Sequence, residues 1–269
     1  MVKPTTSINT ILIGLLGFFV LIIQSSLVHS EEVTFDLSYY YYEETDDSGN
    51  FFMSDESDIA FVSLGLRDWE TRPTGNPWNF FHTLEITRGW VNYDSASTGT
   101  MDKDYYKFRG EVFAGYRLGD VTPIVGLGYR WLYDDGGGST SSTGHSSYDR
   151  QSEYLYLPLG AIYNPSKFDK WRIKGQFNLF LDGQQTSYAS DISAGFNDLV
   201  NDQPDGWGID FNIDYNLGDN ATIYGFARHW DIGKSEIGTL TYAGLVSWYA
   251  WEPANTTTEI GVGLSYKLY

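Results

Sequence analysis

Beyond about residue 30, apolar and polar residues alternate along most of the chain with a period of two, as in strands whose two faces meet different surroundings. Between 171 and 182, Trp171, Ile173, Phe177, Leu179 and Leu181 take turns with Arg172, Lys174, Gln176, Asn178 and Asp182; Gly175 and Phe180 interrupt. Between 207 and 216, Trp207, Ile209, Phe211, Ile213 and Tyr215 alternate with Gly208, Asp210, Asn212, Asp214 and Asn216. Val33, Phe35, Leu37, Tyr39 and Tyr41 begin the series, and similar segments at 59–67, 79–92, 105–117, 122–133, 153–163, 221–231 and 258–268 bring it to ten. Two segments are less regular. Arg88 shares the face of Leu84, Ile86 and Trp90, which suggests a bulge at Gly89. The run Tyr154 to Leu159 is apolar on both faces.

Alternation suits a soluble sandwich as well, with the apolar face inside. The connections separate the two readings. The links 43–58, 93–104, 134–152, 183–206 and 232–257 are long, whereas 68–78 is intermediate and those at Arg117–Val121, 164–170 and Asn216–Asn220 are short. Long and short links on an even number of strands are the signature of a membrane barrel with short periplasmic turns and long extracellular loops. Aromatics agree, since rings gather at the two bilayer interfaces. Tyr39 to Tyr42, Trp90, Trp131, Tyr133, Tyr154, Trp207 and Trp230 fall at the outer ends of segments; Trp69, Trp78, Tyr116, Tyr163, Trp171, Tyr215 and Tyr266 fall at the inner ends. The fold class read from the sequence is therefore all-β: an antiparallel up-and-down transmembrane β-barrel of ten strands.

The first thirty residues differ in kind. Lys3 precedes the apolar run Ile11 to Ile23, and Val28 and Ser30 are the small-residue pair of a cleavage site. That run is short for a spanning helix, which needs about 20 residues. Residues 1–30 read as a signal peptide cleaved after about Ser30, and 31–269 as the barrel domain. With the closing segment Glu259-Ile-Gly-Val-Gly-Leu-Ser-Tyr-Lys-Leu-Tyr269, these features resemble the small outer-membrane β-barrel proteins of Gram-negative bacteria. The resemblance implies a location in the cell outer membrane, lipid as the surrounding partner and a monomer. Family members usually end on an aromatic in phase with the alternation; here Tyr269 falls one residue out of phase.

If the apolar faces meet lipid, the polar ones line the lumen. The inward set is then Asp36, Glu85, Glu111, Glu153, Asp182, Asp210, Asp214 and Glu259 against Arg67, Lys107, Arg109, Arg130, Arg172, Lys174, Arg228 and Lys267. Unpaired buried ions cost several kcal/mol, so matched numbers predict a charge network filling the interior. Barrels of about 8 strands enclose only side chains and open porins use about 16–18, so ten lies near the closed end.

Overall composition places the surplus charge outside. The 269 residues carry 17 Lys and Arg against 35 Asp and Glu, with no cysteine. Disulfides and cysteine-ligated metals are thereby excluded, and a net charge of −18 argues against nucleic acid as a partner. Nineteen of the carboxylates fall in the five long links, opposed there by Lys103, Arg150 and Lys234. Asp46, Asp47, Asp55 and Glu56 have the hard oxygen ligands for a weak divalent-cation site, without the ordered spacing of a dedicated calcium loop. No cofactor is expected.

Ten-stranded outer-membrane barrels include the omptin proteases, whose pattern is Asp-x-Asp in the second outer loop and Asp-x-His in the fourth. Asp102-Lys103-Asp104 resembles the first pair, but 183–206 has no histidine. His229 and Asp231, two apart on one strand face, offer a reversed substitute at the rim. In the fifth loop, 237–251 is as apolar as a membrane strand, which predicts a hairpin above the barrel, a lid over the mouth, or a membrane-contacting flap, with a surface partner for the exposed patch. The role expected is non-catalytic, structural or surface-interacting. A narrow, cation-preferring channel and an omptin-like hydrolase are the alternatives.

Overall fold

The computed structural model describes residues 31–69 and 76–268. The signal-peptide reading of 1–30 and the terminal Tyr269 lie outside the described residues.

Ten antiparallel strands close into a ring: β1 (Glu32–Thr45), β3 (Phe61–Asp68), β4 (Trp78–Ser95), β5 (Gly99–Tyr116), β6 (Val121–Asp135), β7 (Arg150–Tyr163), β8 (Trp171–Ser187), β10 (Gly206–Asn216), β11 (Ala221–Ile232) and β14 (Ala254–Lys267). Closure comes from β14 pairing with β1, Glu32 opposite Lys267 through to Thr45 opposite Ala254. Four shorter strands stand on the ring. β2 (Phe51–Ser57) prolongs β3 between β1 and β4, and β9 (Leu199–Gln203) pairs with the top of β8. β12 (Gly238–Tyr242) and β13 (Leu245–Ala250) form a hairpin outside the barrel sheet. The start of β1 at Glu32, the end of β14 at Lys267 and the described short turns lie at one end, called here the inner end, and the long loops at the other.

Alternation places the strand faces as their chemistry demands. Val33, Phe35, Leu37, Ile209, Phe211, Ile260, Val262 and Leu264 are exposed on the outside, while Asp36, Asp210, Asp214 and Glu259 are buried within. A soluble sandwich would reverse this. Trp78, Tyr116, Tyr163, Trp171 and Tyr266 ring the inner end, and Tyr39, Trp90 and Trp207 the outer.

Two sequence expectations fail at irregularities. An extra residue on β8 shifts its register against β7 between Leu155 and Tyr156, so phase inverts and Asp182 faces outward. Gly89 forms no bulge, since β4 pairs with β5 in unbroken register from Trp78 to Ser95. Arg88 does face outward, its guanidinium 5.1 Å from the Trp90 ring and 2.9 Å from Asp104 at the outer interface. Gly89 instead makes room inside: a Cβ there would lie 2.0 Å from the Phe61 ring.

The lumen also holds rings. Tyr40, Tyr42, Met53, Phe61, Val91, Tyr105, Leu132, Tyr154, Tyr156, Phe180, Trp230 and Ile232 form one buried cluster in the outer half. Tyr40, Tyr42, Tyr154 and Trp230, expected on the outer girdle, thus point inward, as does Trp69 at the inner end. With Tyr154 and Tyr156 inside, Glu153 must face outward, where it accepts a hydrogen bond from Tyr129 at 2.8 Å.

Candidate functional site

The interior is built in tiers. Near the inner end, Arg67 and Arg172 share Glu32 (2.7 and 3.1 Å) and Asp214 (3.1 and 2.6 Å). Above them Arg228 grips Glu85 through two parallel bonds of 2.7 and 2.6 Å, and Lys107 donates to Glu259 at 2.6 Å. Asp36 accepts from the Tyr224 hydroxyl at 3.0 Å. Arg109 bridges Asp210 and Glu111, the latter at 2.7 Å, while Gln176 donates to both carboxylates and Asn178 to Asp210. Lys174 lies 3.8 Å from Glu111, between the Trp69 and Phe113 rings.

Next comes the aromatic layer. Tyr40 stacks on Phe61 at 4.6 Å and donates its hydroxyl to Tyr105, while Tyr156 meets Trp230 edge-on at 4.9 Å. Arg130 lies against the Trp230 ring at 5.2 Å, and its Nη1 has no hydrogen-bond partner. Such a cation is held by ring faces, in the manner of cation–π pairs.

A final charged tier caps the rings above the outer girdle. Lys103 joins Asp55 (3.0 Å) and Asp134 (2.6 Å), and Arg150 joins Glu44 (2.6 Å) and Asp134 (3.5 Å) with Glu252 at 3.9 Å. Four carboxylates thus share two cations out of water. Burial pushes the Asp55 carboxyl up to about 6 despite Lys103, and raises Glu252 despite Arg150. Burial also works against the Lys103 charge, but Asp134 and Asp55 outweigh it and hold its pKa above the ordinary value.

Void space follows these tiers. A vestibule of about 350 Å³ opens at the inner end, lined by Glu32, Trp69, Arg172 and Lys267 among others. Another, of about 180 Å³, lies at the outer end beside Glu44, Tyr93, Lys103, Tyr148 and Arg150. Between them, a void of about 20 Å³ bounded by Arg67, Glu111, Lys174 and Arg228 has room for about one water.

Of the sixteen lumen charges read from sequence, Glu153 and Asp182 lie outside and the other fourteen within. Missed were Glu32, which precedes the first apolar position of the series, and the outer tier of Glu44, Asp55, Lys103, Asp134, Arg150 and Glu252, because a loop assignment carries no facing. The four inward carboxylates leave fifteen acids in the outer loops, opposed there by Lys234 and from the barrel wall by Arg88, which pairs with Asp104.

The rim residues do not converge. Asp102 and Asp104 face outward on β5, fourth in the ring, whereas His229 and Asp231 face outward on β11, ninth and so across the barrel. Asp104 is bound to Arg88, and His229 to the Thr258 hydroxyl at 3.0 Å. The cation cluster is dispersed too. Asp46 accepts the backbone N–H groups of Ser48 and Asn50, whose bonds, with the Asn50 side chain, hold its carboxyl below the usual range. Asp47 pairs with Lys234, Asp55 points inward and Glu56 accepts from Tyr39. Among the described residues no three His, Asp or Glu side chains are grouped to hold a metal.

No protein-family model and no curated protein sequence matches the chain. In three dimensions it is similar to the outer membrane protease OmpT of Escherichia coli, at TM-score 0.54 and 10% identity over 89% of this chain and 97% of that one. A more distant likeness is to an outer membrane channel of Pseudomonas putida F1, at TM-score 0.40 and 9% identity over 89% and 95%. The likeness to OmpT extends to the fold alone, and the chain itself is a closed ten-stranded antiparallel barrel of the outer-membrane kind.

Proposed function

We propose that the chain is a non-conducting, non-catalytic barrel of the Gram-negative outer membrane whose task is carried by the structure above its rim. The observation that carries this reading is the double closure of the lumen. An ion entering from either end meets paired charges and then a layer in which Tyr40, Phe61, Tyr156 and Trp230 are almost wholly buried. Ten strands leave little more than side-chain room, and here the side chains take it.

The outer end, by contrast, is elaborated. β5 has 18 residues where about 9–11 cross a bilayer, so the wall continues well beyond the membrane. On that wall stand β2, β9 and the β12–β13 hairpin. Hydrolysis finds little support, because Asp102 and Asp104 face away from His229 and Asp231 on opposite walls.

Conductance of the purified barrel in planar bilayers tests the reading. No steady single-channel openings are expected at any voltage the bilayer tolerates; steady, ion-selective openings would replace it with the channel alternative. Peptide cleavage abolished by Asp102→Ala or His229→Ala would replace it with the hydrolase.

A further inference from the structure

Between Glu236 and Glu252 the chain has fifteen residues and no charge. They form the β12–β13 hairpin, turned by Ala243 and Gly244 at φ 50° and 81°. Loop 183–206 fixes it in place. Asn197 accepts from the Thr241 hydroxyl at 2.9 Å, Ala243 N–H donates to the Gly195 carbonyl at 2.8 Å, and Asn201 donates to the carbonyls of Glu236 and Ala250. The Phe196 ring sits 5.0 Å from Tyr242 and 6.0 Å from Trp248. The hairpin is therefore preorganised, yet Leu245 is 74% exposed, and Ile237, Val246, Trp248 and Tyr249 are more than half exposed.

Its residues are ordered by depth. Leu245, Val246 and Tyr242 flank the turn, the Trp248 and Tyr249 rings come next, and Ile237 and Trp251 stand at the stem with the acids Glu236 and Glu252. A segment that dips into a bilayer likewise carries uncharged apolar and aromatic residues at its tip and keeps its charges at the stem, in water. The barrel's own leaflet is out of reach. The hairpin's root at Ala254 pairs with Thr45, six residues beyond the lipid-facing Tyr39, roughly 15 Å higher for a tilted strand. Its tip lies beside Gly195 and Phe196, past the topmost β8–β9 pair of Ser187 and Leu199.

We infer that this hairpin docks the barrel onto an apposed lipid bilayer, one with a zwitterionic surface. The fifteen outer-loop carboxylates, opposed only by Lys234 and by the Arg88 that pairs with Asp104, repel an anionic surface, so phosphatidylcholine-like headgroups fit and acidic ones do not. The inference rests on the surface-interaction reading above. Conductance decides that reading, while the vesicle experiment below decides the identity of the partner.

The chain has no cysteine, so Val246→Cys gives a single attachment point for an environment-sensitive fluorophore. The labelled full barrel in nanodiscs is mixed with phosphatidylcholine vesicles. Label emission is expected to shift to the blue only after vesicles are added, and the protein to float with them. Leu245→Asp with Val246→Asp should reduce flotation about tenfold or more, since each apolar side chain that enters lipid contributes about 1.5–3 kcal/mol or twelvefold upward. Unchanged heat-modifiable gel migration confirms that this variant is folded. Replacing a third of the phosphatidylcholine by phosphatidylglycerol should weaken flotation. Four results would overturn the inference: no shift with vesicles, a shift in nanodiscs alone, a shift that grows with barrel concentration without vesicles, or stronger flotation on anionic lipid.

Discussion

Asp210 offers the most direct test of the interior. It is 3% exposed and accepts from both terminal nitrogens of Arg109, from Gln176 at 2.9 Å and from Asn178 at 2.8 Å. Asp210→Leu removes that acceptor and leaves Arg109 with Glu111 at 2.7 Å and the Tyr156 hydroxyl at 3.1 Å. Breaking a buried ion pair from one side typically costs about 3–5 kcal/mol, chiefly because the remaining charge is left without its partner. Arg109→Met breaks the same pair from the other side, and its cost should be similar. Combining the two replaces the pair by apolar groups of comparable volume, a change that is often neutral or better. The double variant should therefore lose less than the sum of the singles, by about 2 kcal/mol or more. Urea titration of tryptophan fluorescence, run as unfolding and refolding in phosphatidylcholine vesicles, measures all four corners of the cycle. A loss under about 1 kcal/mol for Asp210→Leu, or additivity within about 0.5 kcal/mol, would refute the interior as a coupled charge network.

Three further outcomes follow from named contacts. A Cβ on Gly128 would lie 2.2 Å from the Tyr156 ring, so Gly128→Val should cost about 1–3 kcal/mol and lower the folded fraction in heat-modifiable gels. Arg88 and Asp104 pair in the open at the outer interface, and Arg88→Ala should change the urea midpoint by less than about 1 kcal/mol equivalent. Burial lifts Asp55 from 3.8 to about 6, so between those values the folded barrel keeps a proton the unfolded chain has lost. Its contribution to stability is greatest below pH ~4 and declines as pH rises through about 6. Urea midpoints from pH 4 to 7 should fall less in Asp55→Asn than in the wild type; parallel profiles would contradict the buried placement.

Barrel and strand number were legible because one face of each membrane segment must be apolar over its whole length. In β10, Ile209, Phe211 and Ile213 against Asp210, Asn212 and Asp214 leave a single facing compatible with lipid outside. Asp182 was misplaced because a bulge is a local shift of pairing, and its one trace in the sequence is the apolar run Leu179-Phe180-Leu181, which does not say which residue is the extra one. The rim pairs Asp102/Asp104 and His229/Asp231 were read by spacing along the chain, which does not reveal that four strands lie between them on either side of the ring. The outer tier around Lys103 was hidden for a related reason. Inward and outward carboxylates look alike in a loop, and only the continuation of β5 and β6 above the membrane gives Lys103 and Asp134 a facing.

That continuation also accounts for the blurred alternation of β7 and for the four consecutive tyrosines of β1. Within the bilayer a strand must be apolar outside and polar inside, whereas above the bilayer, water outside reverses the requirement. β1 crosses the boundary in the run Tyr39-Tyr40-Tyr41-Tyr42: Tyr39 still faces lipid, while Tyr40 and Tyr42 already belong to the buried cluster and Glu43 follows on the outside. β7 does the same, with Leu155, Leu157 and Leu159 on the outer face, Tyr154 and Tyr156 inside, and Glu153 outermost. At the crossover both faces are apolar for a few residues, and period two disappears. The aromatic layer that stops the lumen is thus the lowest floor of a water-exposed barrel standing on a membrane-embedded one. Its strands carry the β12–β13 hairpin well clear of the lipid in which the lower barrel sits.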